Sequence, residues 1–216
     1  MFTNKTKAKL RQGQAVWGVM VTFPSPTILE MLGYLGFDWV LLDNEHGDVT
    51  VANVEHCVRA CDVAGLTPIV RPILGRPDVV SPFMDRGCQG AQAPHINNAE
   101  EARLFVDGVR YPPQGRRGFF RRTRSNHHGF GLGTDEYLRK ANEETLTIAM
   151  IEEAEGVRNV KEIAGTPGID VVFVGTGDLS VSLGCAGQQT HPKVLEAANA
   201  CFEATRNAGK VSGVSC

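Results

Sequence analysis

The 216-residue chain lacks any marked excess of charge: 22 Lys and Arg stand against 24 Asp and Glu, a formal net charge of −2. Such a balance excludes a strong electrostatic pull toward nucleic acid or an acidic membrane surface. Long apolar runs are missing too. The longest are strand-length, far short of the ~20 residues needed to span a bilayer. The opening Met1-Phe2-Thr3-Asn4-Lys5-Thr6-Lys7 has no apolar core, so no secretory signal is expected there. The six cysteines (Cys57, Cys61, Cys88, Cys185, Cys201, Cys216) form no CxxC pair. Cys57 and Cys61 lie four apart beside His56, a spacing open to a metal reading. Two small apolar residues on a buried helix face are the expected alternative, with reduced thiols and a cytoplasmic setting. Lysine is absent from one important place. Lys5, Lys7 and Lys9 lie near the start, Lys140, Lys161 and Lys193 in helical stretches, and Lys210 opens the last strand. None ends a strand, which disfavours Schiff-base catalysis.

What is present is a rhythm of apolar strands and amphipathic helices. Strands are expected at residues 15–23, 37–43, 66–73, 90–96, 146–152, 169–175 and 210–214. Helices are expected after Pro26, at 51–64, 77–86, 99–110, 156–164 and 192–208. Residues 111–144 break the rhythm as an insert rich in Arg, Gly and His, with a helical piece near 135–141. The arginines of the loop at residues 110–122 suggest a loop over an anionic substrate or between subunits, not a nucleic-acid surface. Strand–helix alternation with short links argues an α/β fold, a parallel sheet covered by helices. A (β/α)₈ TIM barrel needs eight strands and runs to ~250 residues. Seven are counted here, so the expectation is one barrel domain over residues 1–216, truncated before the last helix–strand–helix.

Three strands end in acid. Trp39-Val40-Leu41-Leu42 runs into Asp43-Asn44-Glu45-His46, Ile148-Ala149-Met150-Ile151 into Glu152-Glu153, and Val171-Val172-Phe173-Val174 into Gly175-Thr176-Gly177-Asp178. The carboxyl ends of strands are where α/β folds keep their chemistry. Glu152 and Asp178, at neighbouring tips, suit an oxygen-loving divalent cation. Each acid alone would equally serve as a helix cap. His46, within an acidic cluster, suits a general acid/base, and Asp85 is one candidate to orient it. Arg71, in an otherwise apolar strand, needs an anionic partner, either structural or a carboxylate substrate. The backbone N–H groups of Gly175, Thr176 and Gly177 can meet a substrate carboxylate.

Taken together and in order, Leu42-Asp43-Asn44-Glu45-His46, Val70-Arg71-Pro72, Met84-Asp85-Arg86-Gly87, Arg110-Tyr111-Pro112-Pro113-Gln114-Gly115-Arg116-Arg117-Gly118, Ile151-Glu152 and Val174-Gly175-Thr176-Gly177-Asp178-Leu179-Ser180 resemble the HpcH/HpaI aldolases. The resemblance implies a barrel of the pyruvate/phosphoenolpyruvate type and class II aldol chemistry. Pyruvate or oxaloacetate and an aldehyde would be the substrates. It also implies a cation (Mg²⁺, Mn²⁺ or Co²⁺) on Glu152 and Asp178, a His46–Asp85 dyad, and Arg71 binding substrate. Backbone from Thr176 to Asp178 would meet the pyruvate carboxylate. Several members carry Gln two residues before the metal Glu to help hold that carboxylate; here the position is Met150. The resemblance also implies a hexamer built from dimers, with the last helix packed across a subunit partner, so a homo-oligomer is expected, although this chain does not encode that helix. Two alternatives stand beside this reading: a citrate lyase β-like acyl-CoA lyase, and an inactive assembly partner.

Overall fold

The structure, a computed structural model, describes residues 3–215. Seven strands form one sheet: β1 (Gly18–Val21), β2 (Trp39–Asp43), β3 (Thr67–Arg71), β4 (Gly90–Ala93), β5 (Leu146–Ile151), β6 (Val171–Val174) and β7 (Val211–Val214). They lie in chain order and every neighbouring pair is parallel. This order never reverses. Right-handed crossovers therefore place each helix on the same face, and the sheet must cover its other face by curling on itself. Doubly wound sheets, whose order reverses, do otherwise. Among the described residues no strand bridges β7 and β1.

Side-chain alternation sorts the strands into two layers. Val40, Leu42, Val70, Ala91, Ala93, Ala149, Ile151, Val172 and Val174 point outward and pack in the main core under the helices. Leu41, Ile69, Leu146, Ile148 and Val171 point inward and form a second cluster with Trp39 and Phe173. Continuing the inward set to the carboxyl ends delivers Asp43 after Leu41, Arg71 after Ile69, and Glu152 after Ile148 and Met150. The polar site is thus the inner layer continued past its apolar part.

The covering helices are α2 (Pro26–Tyr34), α3 (Val54–Ala64), α4 (Pro77–Asp85), α5 (Ala99–Val109), α6 (Thr134–Glu144), α7 (Ala154–Arg158), α8 (Val160–Gly165), α9 (Thr176–Ser182) and α10 (Pro192–Asn207). Side chains of Ser25 and Asn98 accept N–H bonds from Ile28 and Glu101, capping α2 and α5. Cys57 and Cys61 sit fully buried in the main core, where burial pushes both thiols up, while the side chain of His56 meets Arg59 at 3.3 Å. The two thiols thus pack as small apolar side chains. Cys216 lies outside the described residues.

Two elements depart from expectation. Lys5–Arg11 is a helix, α1, capped by Asn4. It closes the amino-terminal end of the curled sheet: Leu10 joins the inner cluster, and Thr6 Oγ1 bonds Thr67 Oγ1 at 2.8 Å. The Lys7 ammonium is buried, 2.9 Å from Asp170 and bonded to the Thr145 carbonyl. The insert is fastened to this same end and not to the strand tips. Arg110 pairs with Asp170 at 2.6 Å and donates to the Asn142 carbonyl, and Arg117 pairs with Asp85 at 2.6 Å over the Tyr111 ring. Carboxylates hold these arginines inward, so neither is free to close over a substrate.

Burial, reinforced by Arg110, pulls the Lys7 pKa down to about 8 against the opposing pull of Asp170. The unfolded chain therefore binds more protons than the folded one between that value and the ordinary 10.5, and stability contributed at Lys7 rises with pH across this window. The stability of wild type minus that of Lys7→Met should grow by on the order of 2 kcal/mol between about pH 7.5 and about pH 10. Urea unfolding at the two pH values measures it, and a constant difference would contradict the assignment.

Candidate active site

The site is built on the carboxyl tips of β2 to β6. Arg71, nearly closed from solvent at the end of β3, donates from Nε and Nη2 to Asp43 at the end of β2, at 2.9 and 2.8 Å. Among the described residues, this two-pronged pair leaves Nη1 without a hydrogen bond to protein. Burial alone would raise the Asp43 carboxyl, but Arg71 outweighs it and holds the carboxyl below the usual range. Asp43 Oδ1 also accepts the N–H of Glu45 at 3.1 Å and of His46 at 3.4 Å, so the pair shapes the loop that carries both. Glu45 turns back to within 3.2 Å of Arg71 Nε.

Glu152 follows β5 and is buried at 2 % exposure. Burial pushes its carboxyl up. The backbone N–H and ring of His95 oppose that shift, and the charges of Glu45 and Asp178 add to it. Glu152 and Asp178 therefore share one electrostatic neighbourhood, with Glu45 in it. Asp178 lies in the first turn of α9, directly after β6, and is exposed. Gly175 explains how the two tips approach: a Cβ there would stand 2.5 Å from the Met150 methyl and 2.8 Å from Glu152 Oε2. At Gly177 a Cβ would meet nothing, but the Gly175 N–H, expected to face substrate, is donated to the Ile151 carbonyl at 2.9 Å as the sheet ladder continues past β6. The Thr176 hydroxyl is not free either, since it donates to Gln189 at 2.8 Å.

Carboxylates gathered in a desolvated setting call for a cation. Glu152 and Asp178 supply the hard oxygen donors that a divalent ion prefers. Among the described residues no three His, Cys, Asp or Glu side chains converge as a complete metal cage. Glu152, buried, and Asp178, exposed, would be two of the donors such an ion needs.

His46 stands at the mouth with its side chain 64 % exposed and Nε2 3.9 Å from Glu45 Oε2. Asp85 is not brought to it. Helix α4 runs back from the tip of β3 and delivers Asp85 five residues before β4 begins, at the opposite end of the sheet, where Arg117 holds it. Within one chain the expected His46–Asp85 dyad is therefore not assembled.

His95, which sequence reasoning passed over, lies at the centre. It follows β4, and its ring reaches Glu153 at 2.9 Å, Glu152 at 3.4 Å and Glu45 at 3.4 Å. Desolvation works against its charged form, but Glu152 first, then Glu153 and Glu45, outweigh it and raise its pKa. Its backbone N–H donates to Glu152 Oε1 at 2.8 Å from a φ of 53°, in the left-handed region. Such a φ costs a non-glycine residue about 1–2 kcal/mol. His95→Gly and His95→Ala lose the same ion pairs, but only glycine relieves the backbone. His95→Gly should therefore be the more stable by about 1 kcal/mol. Equal urea midpoints would show that the strain is not there.

A model of the HpcH/HpaI aldolase/citrate lyase family matches residues 17–215, nearly the whole chain. The chain belongs to the HpcH/HpaI aldolase/citrate lyase family. It is 34 % identical over 215 residues to a hydroxypyruvate/pyruvate aldolase of Delftia acidovorans, a match covering 98 % of this chain and 78 % of that one. It is 35 % identical over 214 residues to a 5-keto-4-deoxy-D-glucarate aldolase of Escherichia coli K12, covering 99 % and 82 %. Among solved structures, an HpcH/HpaI aldolase/citrate lyase family protein from Burkholderia cenocepacia superposes with a TM-score of 0.91 at 33 % identity, over 98 % of this chain and 84 % of its own. That likeness agrees with a sheet curled in the manner of a TIM barrel.

Proposed function

We propose that this protein is a carbon–carbon lyase of the class II aldolase type, which cleaves or forms 4-hydroxy-2-oxo acids. Pyruvate, or oxaloacetate decarboxylated through the same enolate, is one partner, and an aldehyde is the other. The observation that carries this reading is Glu152: a buried carboxyl, raised by desolvation and by Asp178 and Glu45, at adjoining strand tips beside a half-occupied Arg71. Glu152 and Asp178 would hold a divalent cation (Mg²⁺, Mn²⁺ or Co²⁺), which would supply Lewis-acid polarisation of the 2-oxo group.

The chain's own groups do the rest. Arg71, fixed by Asp43 on two nitrogens, offers its remaining edge to the substrate anion, and rigid placement lets it act without reorganising. His46 takes the proton of the 4-hydroxyl as the C3–C4 bond breaks to release the aldehyde, the remaining enolate takes a proton at C3 to give pyruvate, and synthesis reverses both transfers. Glu45 is the carboxylate closest to its ring within the chain. Any pairing of His46 with Asp85 falls to a neighbouring chain of the expected homo-oligomer. Gly177, in the first turn of α9, leaves its backbone N–H for the pyruvate carboxylate, whereas the Gly175 N–H is taken by the Ile151 carbonyl. The aldolase names of the relatives favour this chemistry over the acyl-CoA alternative.

Pyruvate release from a 4-hydroxy-2-oxo acid tests the reading. Chelator-stripped protein should be inactive and regain turnover with Mg²⁺, Mn²⁺ or Co²⁺. Borohydride added with pyruvate should leave no covalent adduct. Full turnover in the stripped protein, or a trapped adduct, would reject the mechanism.

A further inference from the structure

We propose that Gln92 is a substrate-binding residue, whose side-chain amide donates a hydrogen bond to the carboxylate of the bound 2-oxo acid. The proposal rests on the aldolase reading above and assigns one contact within it.

The starting point is an amide without an adequate partner. Gln92 lies mid-strand in β4 among Gly90, Ala91 and Ala93, and is 1 % exposed. Among the described residues, its Oε1 is buried with no hydrogen bond at all. Its Nε2 meets only the Met150 sulfur there, at 3.2 Å, and a thioether is a weak acceptor. Buried amides are ordinarily satisfied, and one left unpaired destabilises the fold that holds it. An apolar residue would suit this strand better if packing were its only task.

Position says what the amide is for. Alternation turns Gln92 inward, onto the face that carries the site. Ile69 pairs with Gly90 and Val70 with Ala91, so Arg71 and Gln92 come next on the two strands. On the other side Gln92 pairs with Ile148, four residues before Glu152. The amide is thus set between the strand of the guanidinium and the strand of the buried carboxylate. The surroundings are acidic: Asp43, Glu45, Glu152 and Asp178 gather here, and Asp43 already occupies two nitrogens of Arg71. An anionic ligand entering here needs further donors. Rotation of the Gln92 amide about its last torsion exchanges oxygen and nitrogen, so the unpaired position can present N–H.

Its neighbour completes the case. Met150, the inward residue of β5 two before Glu152, is the residue that Gln92 touches. The thioether packs against the amide without satisfying it.

The test uses the full-length protein loaded with Mn²⁺ and oxalate, an unreactive mimic of the pyruvate enolate, with oxaloacetate decarboxylation and urea unfolding beside it. Gln92→Leu should weaken oxalate binding and raise the KM for oxaloacetate by about tenfold, the loss for one hydrogen bond to a charged acceptor. Its kcat should change by less than about threefold, because the contact is made in ground and transition states alike. Its urea midpoint should hold or rise, since an unpaired amide has gone. Placing an amide on the other side of that contact, in Gln92→Leu/Met150→Gln, should recover most of the affinity. Wild-type oxalate binding in Gln92→Leu would overturn the proposal and leave the aldolase reading standing, as would weaker binding accompanied by a lower urea midpoint. Absence of oxalate binding and of decarboxylation in the wild type would overturn both.

Discussion

Glu152→Gln is expected to lower kcat/KM for aldol cleavage at least ~10³-fold, about 4 kcal/mol of transition-state stabilisation. The substitution keeps size and hydrogen-bonding reach, so the loss is that of charge. Glu152 is the buried member of the carboxylate pair, and no other acid occupies the inward position at the tip of β5. Stability should move the other way. Burial and the charges of Glu45 and Asp178 already disfavour the ionised form, so a neutral amide removes a repulsion. The folded protein should therefore hold its urea midpoint or gain slightly while activity disappears. A variant that loses both together would mean that Glu152 holds up the fold and does not serve the reaction.

Arg71→Met should do the opposite to stability. It strips the counter-charge from Asp43, which is fully buried, and removing one partner of a buried pair typically costs about 3–5 kcal/mol. Activity should also fall below detection, because the guanidinium edge for the substrate anion is gone and the loop of Glu45 and His46 loses its anchor. The double variant Arg71→Met/Asp43→Asn separates the two effects. Neutralising Asp43 removes the stranded charge, so stability should return to within about 1–2 kcal/mol of wild type. Activity should not return. Recovery of turnover in the double variant would show that Arg71 acts only as a structural counter-ion.

Much of the fold and part of the site are legible in the amino-acid sequence. Apolar runs ending in acid mark β2, β5 and β6, and alternation along Leu146 to Glu152 carries the proposed metal carboxylate to the inner face. What escapes does so for identifiable reasons. Asp85 is close to Arg71 in sequence, but an intervening helix carries it the length of the sheet, and spacing alone does not reveal that reversal. His95 also follows a strand, yet Ala93-Pro94-His95 contains no acid, and acid is what distinguishes the other tips. A better signal lies in Gln92, a lone amide in a strand of small residues. Helix α1 is obscured because a short lysine-rich segment carries little apolar periodicity, and its stability comes from tertiary contacts of Asn4, Thr6 and Lys7. The arginine-rich loop at residues 110–122 reads as anion-binding or subunit-joining by composition alone, whereas Asp170 holds Arg110 and Asp85 holds Arg117 at the far end of the sheet.

Titrating Mn²⁺ into chelator-stripped protein, with free ion followed by electron paramagnetic resonance, tests the core of this account most directly. One ion per chain should bind to the wild type, and Glu152→Gln and Asp178→Asn should each abolish that binding in protein that remains folded. Undiminished Mn²⁺ affinity in either variant would show that the two carboxylates do not share a cation.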